Sequence, residues 1–367
     1  MPEQEWYIQD WYPMGHRIMD TAVEGSCKTI LGCWLAVCTA TGKKFLGQEI
    51  VQGSVVIVDE ETPHATLEDK VKRFALSFGY KDWRELPISI HSMKGFRFAR
   101  KTAMDWLLKI LSKDEPPQLL RMDSVIAMLP GFRQGMVEND SSVGIALKDD
   151  LDKLLLFVNN ISISAHAKKN VTDMTPKQLR ATDMQAIVRG SGSIVGEAAD
   201  TGIAIKKISE YPEPTRFVIV TKARRKAIPM SAEDVFVEMK EEAYGKGWAK
   251  LERIDPIALP PSRIALDLFQ FFQDSSEITA EYIVKKAALY IKGEIRAGVE
   301  ELIDRKAIIN SNGAFTFSIN PMLNAECEKH YIKSLFAAKR KEDAKKAIEA
   351  RWAGTKKTAK SKEIKAC

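Results

Sequence analysis

The segment Ala22–Thr29 constrains the fold of this chain more than any other part of it. Its residues, Ala-Val-Glu-Gly-Ser-Cys-Lys-Thr, lead directly into an apolar stretch over residues 30–38 with the composition of a buried helix. The spacing matches the phosphate-binding pattern G-x-x-x-x-G-K-[ST], in which backbone N–H groups close around phosphate oxygens at the start of a helix. Ala22 and Cys27 stand where that pattern has its two glycines. This segment, here called the phosphate loop, predicts a nucleotide-binding turn that leads into a helix.

Individual residues of the phosphate loop suit a nucleotide with a bound metal ion. Lys28 can reach the β- and γ-phosphates, and Thr29 can place its hydroxyl on Mg²⁺. Gly25 keeps one unhindered residue inside the loop, whereas Cys27 adds a Cβ where the loop normally has none. The expected nucleotide-binding residues are Ala22, Glu24, Gly25, Ser26, Cys27, Lys28 and Thr29. The alternative is an ordinary loop that enters a buried helix.

Strand-like and helix-like patterns alternate after the phosphate loop. Apolar and β-branched runs predict strands at residues 54–58, 88–91, 119–129 (leading into a loop), 161–166, 202–208 and 216–221. Helical spacing predicts helices at residues 66–78, 102–112 and 143–159. A run without alternation, such as residues 54–58, is typical of a central parallel strand that is buried on both faces. The pattern predicts an α/β fold with a mainly parallel central sheet.

Aromatic and cysteine residues in the first part of the chain have structural explanations. Trp6, Tyr7, Trp11 and Tyr12 could stack on adenine or pack in the core, and we favour the core. The cysteines lack the spacing of zinc ligands and are expected to be reduced: Cys27, Cys33, Cys38, Cys327 and Cys367. The amino terminus has no signal-peptide pattern, and no apolar stretch is long enough to span a bilayer. We therefore expect a cytoplasmic protein without membrane contact.

The pattern changes after Pro260-Pro261, which mark a linker. Short helices are expected at residues 264–272, 279–289 and 293–306. A hairpin over residues 307–319 should follow and turn at Asn312-Gly313. Three helices and a hairpin indicate a winged helix-turn-helix domain, with residues 292–306 as its recognition helix. Such a domain can contact DNA or dock another protein, and both alternatives remain open.

The carboxyl-terminal tail is strongly basic. Residues 339–367 contain eleven Lys or Arg and four Asp or Glu, a net charge of +7, whereas the whole chain carries +6. This tail could bind nucleic acid by releasing counterions, or it could be a solvated, partly frayed helix. The sequence thus predicts three regions: an α/β domain at residues 1–258, a winged-helix domain at 262–335 and a basic helix or tail at 336–367.

Carboxylates at the ends of two apolar runs complete the groups that hydrolysis of a nucleoside triphosphate requires. This reaction needs a phosphate cradle, a carboxylate near the metal ion and a carboxylate that orients the attacking water. The run at residues 54–58 leads to Glu61, which would orient water, with Glu60 as the fallback. Asp123 would act on Mg²⁺. Acidic residues often end strands only because they make the following loop soluble. The inference therefore rests on the order of the phosphate loop, Glu61 and Asp123 along the chain.

The order of these segments resembles that of RecA-like ATPases, in particular the RepA-like hexameric helicase branch related to the DnaB-type replicative helicases. The similar stretches are residues 52–63, 123–129 with 138–142, 162–169, 189–200 and 220–225. The most specific of them is the Arg-Gly-Ser segment that starts at Arg189. The resemblance covers roughly residues 10–240.

The resemblance implies a role for each matching residue. His166 would sense the γ-phosphate, and Lys222 and Arg224 would reach the nucleotide of a neighbouring subunit. A loop over residues 168–189 would face the channel of a ring and hold single-stranded DNA. The residues expected to bind DNA are Lys168, Lys169, Lys177, Arg180 and Arg189. Taken alone, a histidine or a basic cluster at the end of a strand is more often structural.

These features together predict an ATPase that uses ATP and Mg²⁺ and assembles into a homo-oligomer, for which the resemblance implies a hexamer. It would act on single-stranded DNA as a replication helicase of a plasmid, phage or related mobile element. The winged helix could recruit other replication proteins. The rival interpretation is a non-motor DNA-binding or assembly protein with a degenerate nucleotide site, in which the winged helix and the basic tail carry the function.

Overall fold

The computed structural model describes residues 4–98, 100–112, 115–129, 141–174, 176–189, 198–209, 214–223, 234–242 and 247–255, together with residues 265, 268, 278–279, 298–299, 301–302, 308–311 and 314–317. The chain forms two compact units, Met1–Ile254 and Asp255–Cys367. The division into three regions that the sequence suggests stays a prediction.

The first unit opens with a short hairpin and then alternates strands with helices. Its strands are β1 (Trp6–Ile8), β2 (Tyr12–Pro13), β3 (Arg17–Ala22), β4 (Val55–Asp59), β5 (Ile88–Ser92), β6 (Leu119–Asp123), β7 (Ile161–His166), β8 (Thr201–Lys207), β9 (Arg216–Ala223), β10 (Val235–Glu241) and β11 (Ala249–Ile254). Its α-helices are α1 (Lys28–Thr41), α2 (His64–Ser77), α3 (Lys101–Leu111), α4 (Val125–Met128), α5 (Ser141–Leu155), α6 (Pro176–Ala181) and α7 (Met184–Ile187). The elements expected from the sequence are present, with most ends shifted by one to a few residues.

Besides short elements that the sequence pattern did not predict, such as β1, β2 and α4, the strands of the main sheet differ from the expectation in two ways. The strand expected over residues 119–129 ends at Asp123, because Ser124 caps the start of α4 and its Oγ accepts a hydrogen bond from the N–H of Ala127 at 3.4 Å. The sequence pattern also missed β10 and β11. Buried residues alternate with more exposed, often charged ones along these two strands, which is typical of strands that turn one face to water.

Nine strands form one sheet in the order β11-β10-β9-β8-β3-β7-β6-β4-β5. Neighbours from β8 to β5 pair in parallel, and those from β8 to β11 pair antiparallel. The predicted α/β fold with a mainly parallel sheet is confirmed. Since β7 lies between β3 and β6, the carboxyl ends of β3, β7, β6 and β4 meet in that order along one edge of the sheet.

Helices cover both faces of this sheet. On one face, α1 and α2 contribute Trp34 and Phe74 to a cluster that includes Ile57 of β4. On the other face, α3 and α5 contribute Leu107 and Leu151. Burial of each such side chain stabilises the fold by about 1.5–3 kcal/mol. The two apolar layers therefore hold the carboxyl ends of the central strands in fixed positions.

The amino-terminal aromatic residues belong to this core. Tyr7, Trp11 and Tyr12 are at most 1% exposed. The hydroxyls of Tyr7 and Thr39 share a hydrogen bond of 2.6 Å, and the ring of Trp11 meets that of Phe45 edge to face. The core interpretation is confirmed for these three residues, which leaves them no free face for adenine. The cysteines among the described residues are buried and unpaired: Cys27, Cys33 and Cys38.

The second unit contains a three-stranded sheet in the order β12-β14-β13, formed by β12 (Ile278–Thr279), β13 (Ile308–Ser311) and β14 (Ala314–Phe317). Pairing of Ser311 with Ala314 confirms the hairpin expected in this region. Most of the three expected helices and all of the basic tail lie outside the described residues, so the winged helix stays a prediction. Within the part of the chain that the structure describes, no helix has both the length and the apolar character needed to cross a bilayer.

Candidate nucleotide-binding site

The phosphate loop joins the end of β3 to the start of α1. Ala22 is buried at the end of the strand, Glu24 and Gly25 are exposed, and Ser26 is half-buried. Gly25 has a φ of 76°, and Cys27 has a φ of 70°. Both values lie in the left-handed region, which costs an L-residue about 1–2 kcal/mol and glycine very little.

Cys27 thus adopts the backbone conformation of a glycine although it carries a side chain. That side chain is 8% exposed and packs into the core cluster beneath α1. The backbone carbonyl of Cys27 accepts the first hydrogen bond of the helix, from the N–H of Leu31 at 2.9 Å. The added Cβ therefore points into the core, and the helix still starts directly after the loop.

Lys28 lies at the centre of the site. It is 7% exposed; its Nζ donates to the carbonyl oxygen of Ala22 at 3.1 Å and lies 3.3 Å from Nδ1 of His166. Burial lowers the pKa of Lys28, and the carboxylates of Asp123 and Glu61 oppose that shift. Its ammonium group is thus held inside the phosphate loop, close to two carboxylates.

Thr29 and Asp123 form an oxygen-rich pair beside this lysine. The hydroxyl of Thr29 donates to Oδ2 of Asp123 at 2.9 Å, and the hydroxyl of Ser164 donates to Oδ1. Asp123 is 3% exposed and ends β6. Hydroxyl and carboxylate oxygens are ligands that Mg²⁺ accepts, and Mg²⁺ in nucleotide sites usually has one or two protein ligands besides phosphates and water. The two residues therefore fit the metal ion that the sequence suggests.

Glu61 faces the phosphate loop from the end of β4. Its Oε1 accepts a hydrogen bond from the hydroxyl of Ser124 and lies 3.1 Å from Nε2 of His166. The hydrogen bond from His166 is the largest cause that lowers the pKa of this carboxyl. A neutral His166 with its proton on Nε2 donates to Glu61 and accepts from Lys28, which satisfies both of its nitrogens. His166 therefore bridges the lysine of the loop and the carboxylate opposite it.

Glu60 points away from the phosphate loop. Its carboxylate accepts hydrogen bonds from the backbone N–H groups of Lys94, Gly95 and Phe96 at 2.9–3.0 Å. It also pairs with Nη1 of Arg97 at 3.2 Å, and the side chain of Glu60 is 3% exposed. Of the two acidic residues considered from the sequence, Glu61 is the one that the structure brings to the lysine, the threonine and the histidine.

Residues 1–155 match a family described as AAA domain. The matched part contains the phosphate loop, Glu61 and Asp123, and a strand inserted between β3 and β6 is the sheet order of the RecA-like class. The first unit has the RecA-like P-loop fold. The resemblance noted from the sequence is confirmed at this level.

Solved structures with similar folds include a KaiC-like protein from Pyrococcus horikoshii, which is 13% identical with a TM-score of 0.44 and covers 69% of this chain and 99% of its own. The RadB recombinase is 15% identical, with a TM-score of 0.43, over 66% of this chain and 91% of its own. A third structure, the ATPase domain of another protein, is 14% identical with a TM-score of 0.47, and the match covers 65% of this chain and 85% of its own. No curated protein sequence matches this chain significantly.

Two further residues that the sequence pattern did not indicate contact the residues of the site. Asp59 accepts hydrogen bonds through Oδ1 from the N–H groups of Glu61 at 2.8 Å and Thr62 at 2.6 Å, and burial raises the pKa of Asp59 to about 6. Arg121 is 2% exposed in β6, pairs with Asp20, and lies 3.9 Å from Asp123. For Arg121 the available signal was a charged residue inside an otherwise apolar run, whereas Asp59 only begins the acidic residues that follow β4.

The expected DNA-binding residues lie on the segment that follows β7. Lys168 and Lys169 are exposed, and so is Arg189, whose N–H donates to the carbonyl oxygen of His166 at 2.8 Å. Arg180 is paired with Asp234 at 2.7 Å. The segment therefore leaves the nucleotide site at Lys168 and returns to it at Arg189.

Several expected site residues fall outside the described part of the chain. The side chain of Lys177 on α6 and that of Lys222 on β9 are not among the described side chains, and Arg224 and residues 190–197 are not described. The backbone of Lys222 pairs with Gly202. The roles suggested for these residues stay predictions.

Proposed function

We propose that this chain binds ATP with Mg²⁺ at the phosphate loop and hydrolyses it. The observation that carries the proposal is the position of Glu61, held by Ser124 and His166 opposite Lys28. A carboxylate there can orient a water molecule for attack on the γ-phosphate. A lysine in the loop can bind the phosphate oxygens that gain charge in the transition state.

Each group has a separate task in the proposed reaction. Thr29 and Asp123 would hold Mg²⁺, which when bound neutralises phosphate charge. The ammonium group of Lys28 donates to the carbonyl oxygen of Ala22 at 3.1 Å. When the nucleotide binds, Lys28 gives up this hydrogen bond and contacts the phosphates instead. Glu61, kept ionised by its hydrogen bonds, accepts a hydrogen bond from the attacking water and draws its proton. His166 would sense the presence of the γ-phosphate, since it touches both Lys28 and Glu61.

We further infer that the ATPase acts on single-stranded DNA as a homo-oligomer, with a hexamer as the expected form. The sequence resemblance to hexameric helicases supports this, as do the exposed Lys168, Lys169 and Arg189 next to His166. Lys222 and Arg224 would complete the site of a neighbouring copy. A helicase role in replication of a plasmid, phage or mobile element rests on the resemblance alone.

DNA-stimulated ATP hydrolysis tests the proposal. The wild-type protein is compared with Lys28→Ala and Glu61→Gln in the presence and absence of oligo-dT, and mass is measured with and without Mg-ATP. We expect stimulation and assembly in the wild type and no turnover in either variant. ATP binding and DNA binding without turnover in the wild type would overturn the ATPase proposal.

That outcome would favour the second candidate, a non-motor DNA-binding or assembly protein. Cys27 is the observation behind it, because a side chain at a φ of 70° carries strain that a glycine would not. In that case the ATPase domain serves as a scaffold, and the second unit and the basic tail would bind the partner.

A further inference from the structure

The loop that holds Glu60 has a surface that the nucleotide site does not use. This loop, Met93–Arg97, follows β5 and is here called the clamp loop. It wraps the carboxylate of Glu60 with three consecutive backbone N–H groups, an arrangement that stabilises an anion strongly. Met93 and Gly95 both have positive φ values, of 52° and 75°. The turn is therefore built around this single buried carboxylate.

The outer side of the clamp loop and the start of α3 are basic. Residues 94–101 contain four Lys or Arg and no Asp or Glu. Lys94, Arg100 and Lys101 are exposed, and none of them has a carboxylate within ion-pair distance among the described residues. Helix α3 has no acidic residue in its first turn, so the positive end of its dipole adds to this field. Met93 is 60% exposed beside these charges.

Arg97 is paired with Glu60, but the charges of Lys94, Arg100 and Lys101 are not paired with a carboxylate among the described residues. Like charges repel one another, and a polyanion such as a backbone of phosphodiesters relieves that repulsion. An exposed apolar side chain such as that of Met93 can lie against a base. These residues are distinct from the basic segment at 168–189.

The clamp loop is tied to the two strands that carry the reacting groups. The N–H of Met93 donates to the carbonyl oxygen of Asp59, and the N–H of Glu60 donates to that of Asp123, both at 2.7 Å. The N–H of Phe98 donates to the carbonyl oxygen of Met128 at the end of α4. Glu60 is also bonded covalently to Glu61. Movement of the loop must therefore shift the peptide that positions Glu61.

We propose that the clamp loop, with Arg100 and Lys101, binds the phosphate backbone of a single-stranded nucleic acid and that Glu60 transmits this contact to Glu61. This inference rests on the proposed function of the site. Glu60 is a positioning residue: it touches no reacting group, and it links the outer contact to the carboxylate that orients water.

The salt dependence of binding tests the surface. Binding of fluorescent oligo-dT and oligo-rU to the full chain is measured from 50 to 300 mM salt for the wild type, for Arg100→Ala/Lys101→Ala and for the charge-matched control Lys72→Ala/Lys81→Ala, whose lysines are exposed on and after α2. Loss of two phosphate contacts should reduce the slope of log K against log salt by about 1.4, and the control should keep the wild-type slope. An unchanged slope in Arg100→Ala/Lys101→Ala would contradict the proposal that these two residues bind the nucleic-acid backbone. A change in oligomer mass instead of slope assigns it to another copy of the chain, which also overturns it.

Stimulation of ATP hydrolysis tests the transmission. Glu60→Gln has one acceptor oxygen in place of two and therefore loses two of the four hydrogen bonds. The ratio of oligo-stimulated to basal turnover should fall by about tenfold or more. Oligonucleotide affinity should stay within about twofold of wild type. Gly95→Ala, which strains the loop at a φ of 75° without meeting any atom within 4 Å, should act in the same direction and serves if Glu60→Gln does not fold.

Wild-type stimulation in both variants overturns the role of Glu60. If the wild type binds oligonucleotide through Arg100 and Lys101 but never hydrolyses ATP, the proposed ATPase function is wrong, whereas binding of nucleic acid by this surface is retained. The two failures are therefore distinguishable in one set of titrations.

Discussion

Nε2 of His166 lies 3.1 Å from Oε1 of Glu61, across the carboxyl ends of β7, β6 and β4. This contact joins residues 105 positions apart in the chain, and the other nitrogen of the same ring meets Lys28. The carboxylate that would orient water is thus held by the residue that also touches Lys28. His166 is therefore placed to couple the state of the nucleotide to the position of Glu61.

Removal of the imidazole should change the pH dependence of turnover. The pKa of Glu61 is lowered first by the hydrogen bond from His166, so the carboxylate is ionised at neutral pH and becomes protonated only well into the acid range. In His166→Ala the pKa of Glu61 should rise, and the acid limb of the kcat profile should move to higher pH. We also expect kcat to fall by about tenfold or more, because Glu61 loses its orientation.

Ser124→Ala is the matched control, since it removes the side-chain hydrogen bond that lowers the pKa of Glu61 by the smaller amount. Its acid limb should move in the same direction but less. An acid limb that stays in place in His166→Ala would show that Glu61 does not depend on this histidine.

Replacement of Thr29 should alter the requirement for magnesium. The hydroxyl of Thr29 lies in the first turn of α1 and donates to Asp123, and a metal ion bound to phosphates would meet it there. Thr29→Ala should raise the Mg²⁺ concentration for half-maximal turnover by about tenfold or more. Thr29→Ser keeps the hydroxyl and should stay near the wild type. Equal Mg²⁺ requirements for the alanine and serine variants would exclude Thr29 from the metal site.

Substitutions of Cys27 should separate backbone strain from side-chain packing. Cys27→Gly relieves about 1–2 kcal/mol of left-handed strain but loses the buried thiol and gains freedom in the unfolded chain. The free energy of unfolding should therefore change by less than about 1 kcal/mol. Because the loop already has the glycine conformation, ATP affinity should change little.

Cys27→Val is the contrasting variant, since a β-branched residue tolerates a positive φ least. Urea unfolding should show it to be less stable than wild type by about 2 kcal/mol. A large gain in turnover for Cys27→Gly would mean that the native loop is a weakened site.

Much of this architecture follows from local sequence patterns, because central parallel strands are apolar throughout and amphipathic helices repeat with a helical period. The order of phosphate loop, Glu61 and Asp123 also follows, since parallel strands end at one edge. The choice between Glu60 and Glu61 does not. Adjacent residues of an extended chain face opposite ways, and which way is inward depends on the clamp loop, whose N–H groups hold Glu60 from 34 to 36 residues further along the chain.

The contacts of Arg121 could not be predicted from the sequence, for a related reason. Its partners, Asp20 and Ser162, come from β3 and β7, which become its neighbours only when the sheet forms. Cys27 was judged from its Cβ alone. The direction of that Cβ depends on a backbone angle that no spacing rule predicts.

Gly32 offers a test of the buried arginine. In the middle of a helix, alanine normally stabilises by about 1 kcal/mol relative to glycine. At Gly32, however, a Cβ would lie 2.7 Å from Nε of Arg121, whose guanidinium is fixed by Asp20 and by Ser162 at 2.6 Å. Gly32→Ala should therefore destabilise the protein by about 1–2 kcal/mol in urea unfolding, as overpacked cores do.

In an Arg121→Lys background, Gly32→Ala should lower the free energy of unfolding by a smaller amount, because the lysine lacks the rigid planar group that α1 covers. The difference between the two costs measures the contact directly. In the native background Gly32→Ala should also raise the Mg²⁺ requirement, since a displaced Arg121 disturbs Asp123, 3.9 Å away. A stabilising Gly32→Ala, or an equal cost in both backgrounds, would show that the guanidinium does not press against the helix as the structure indicates.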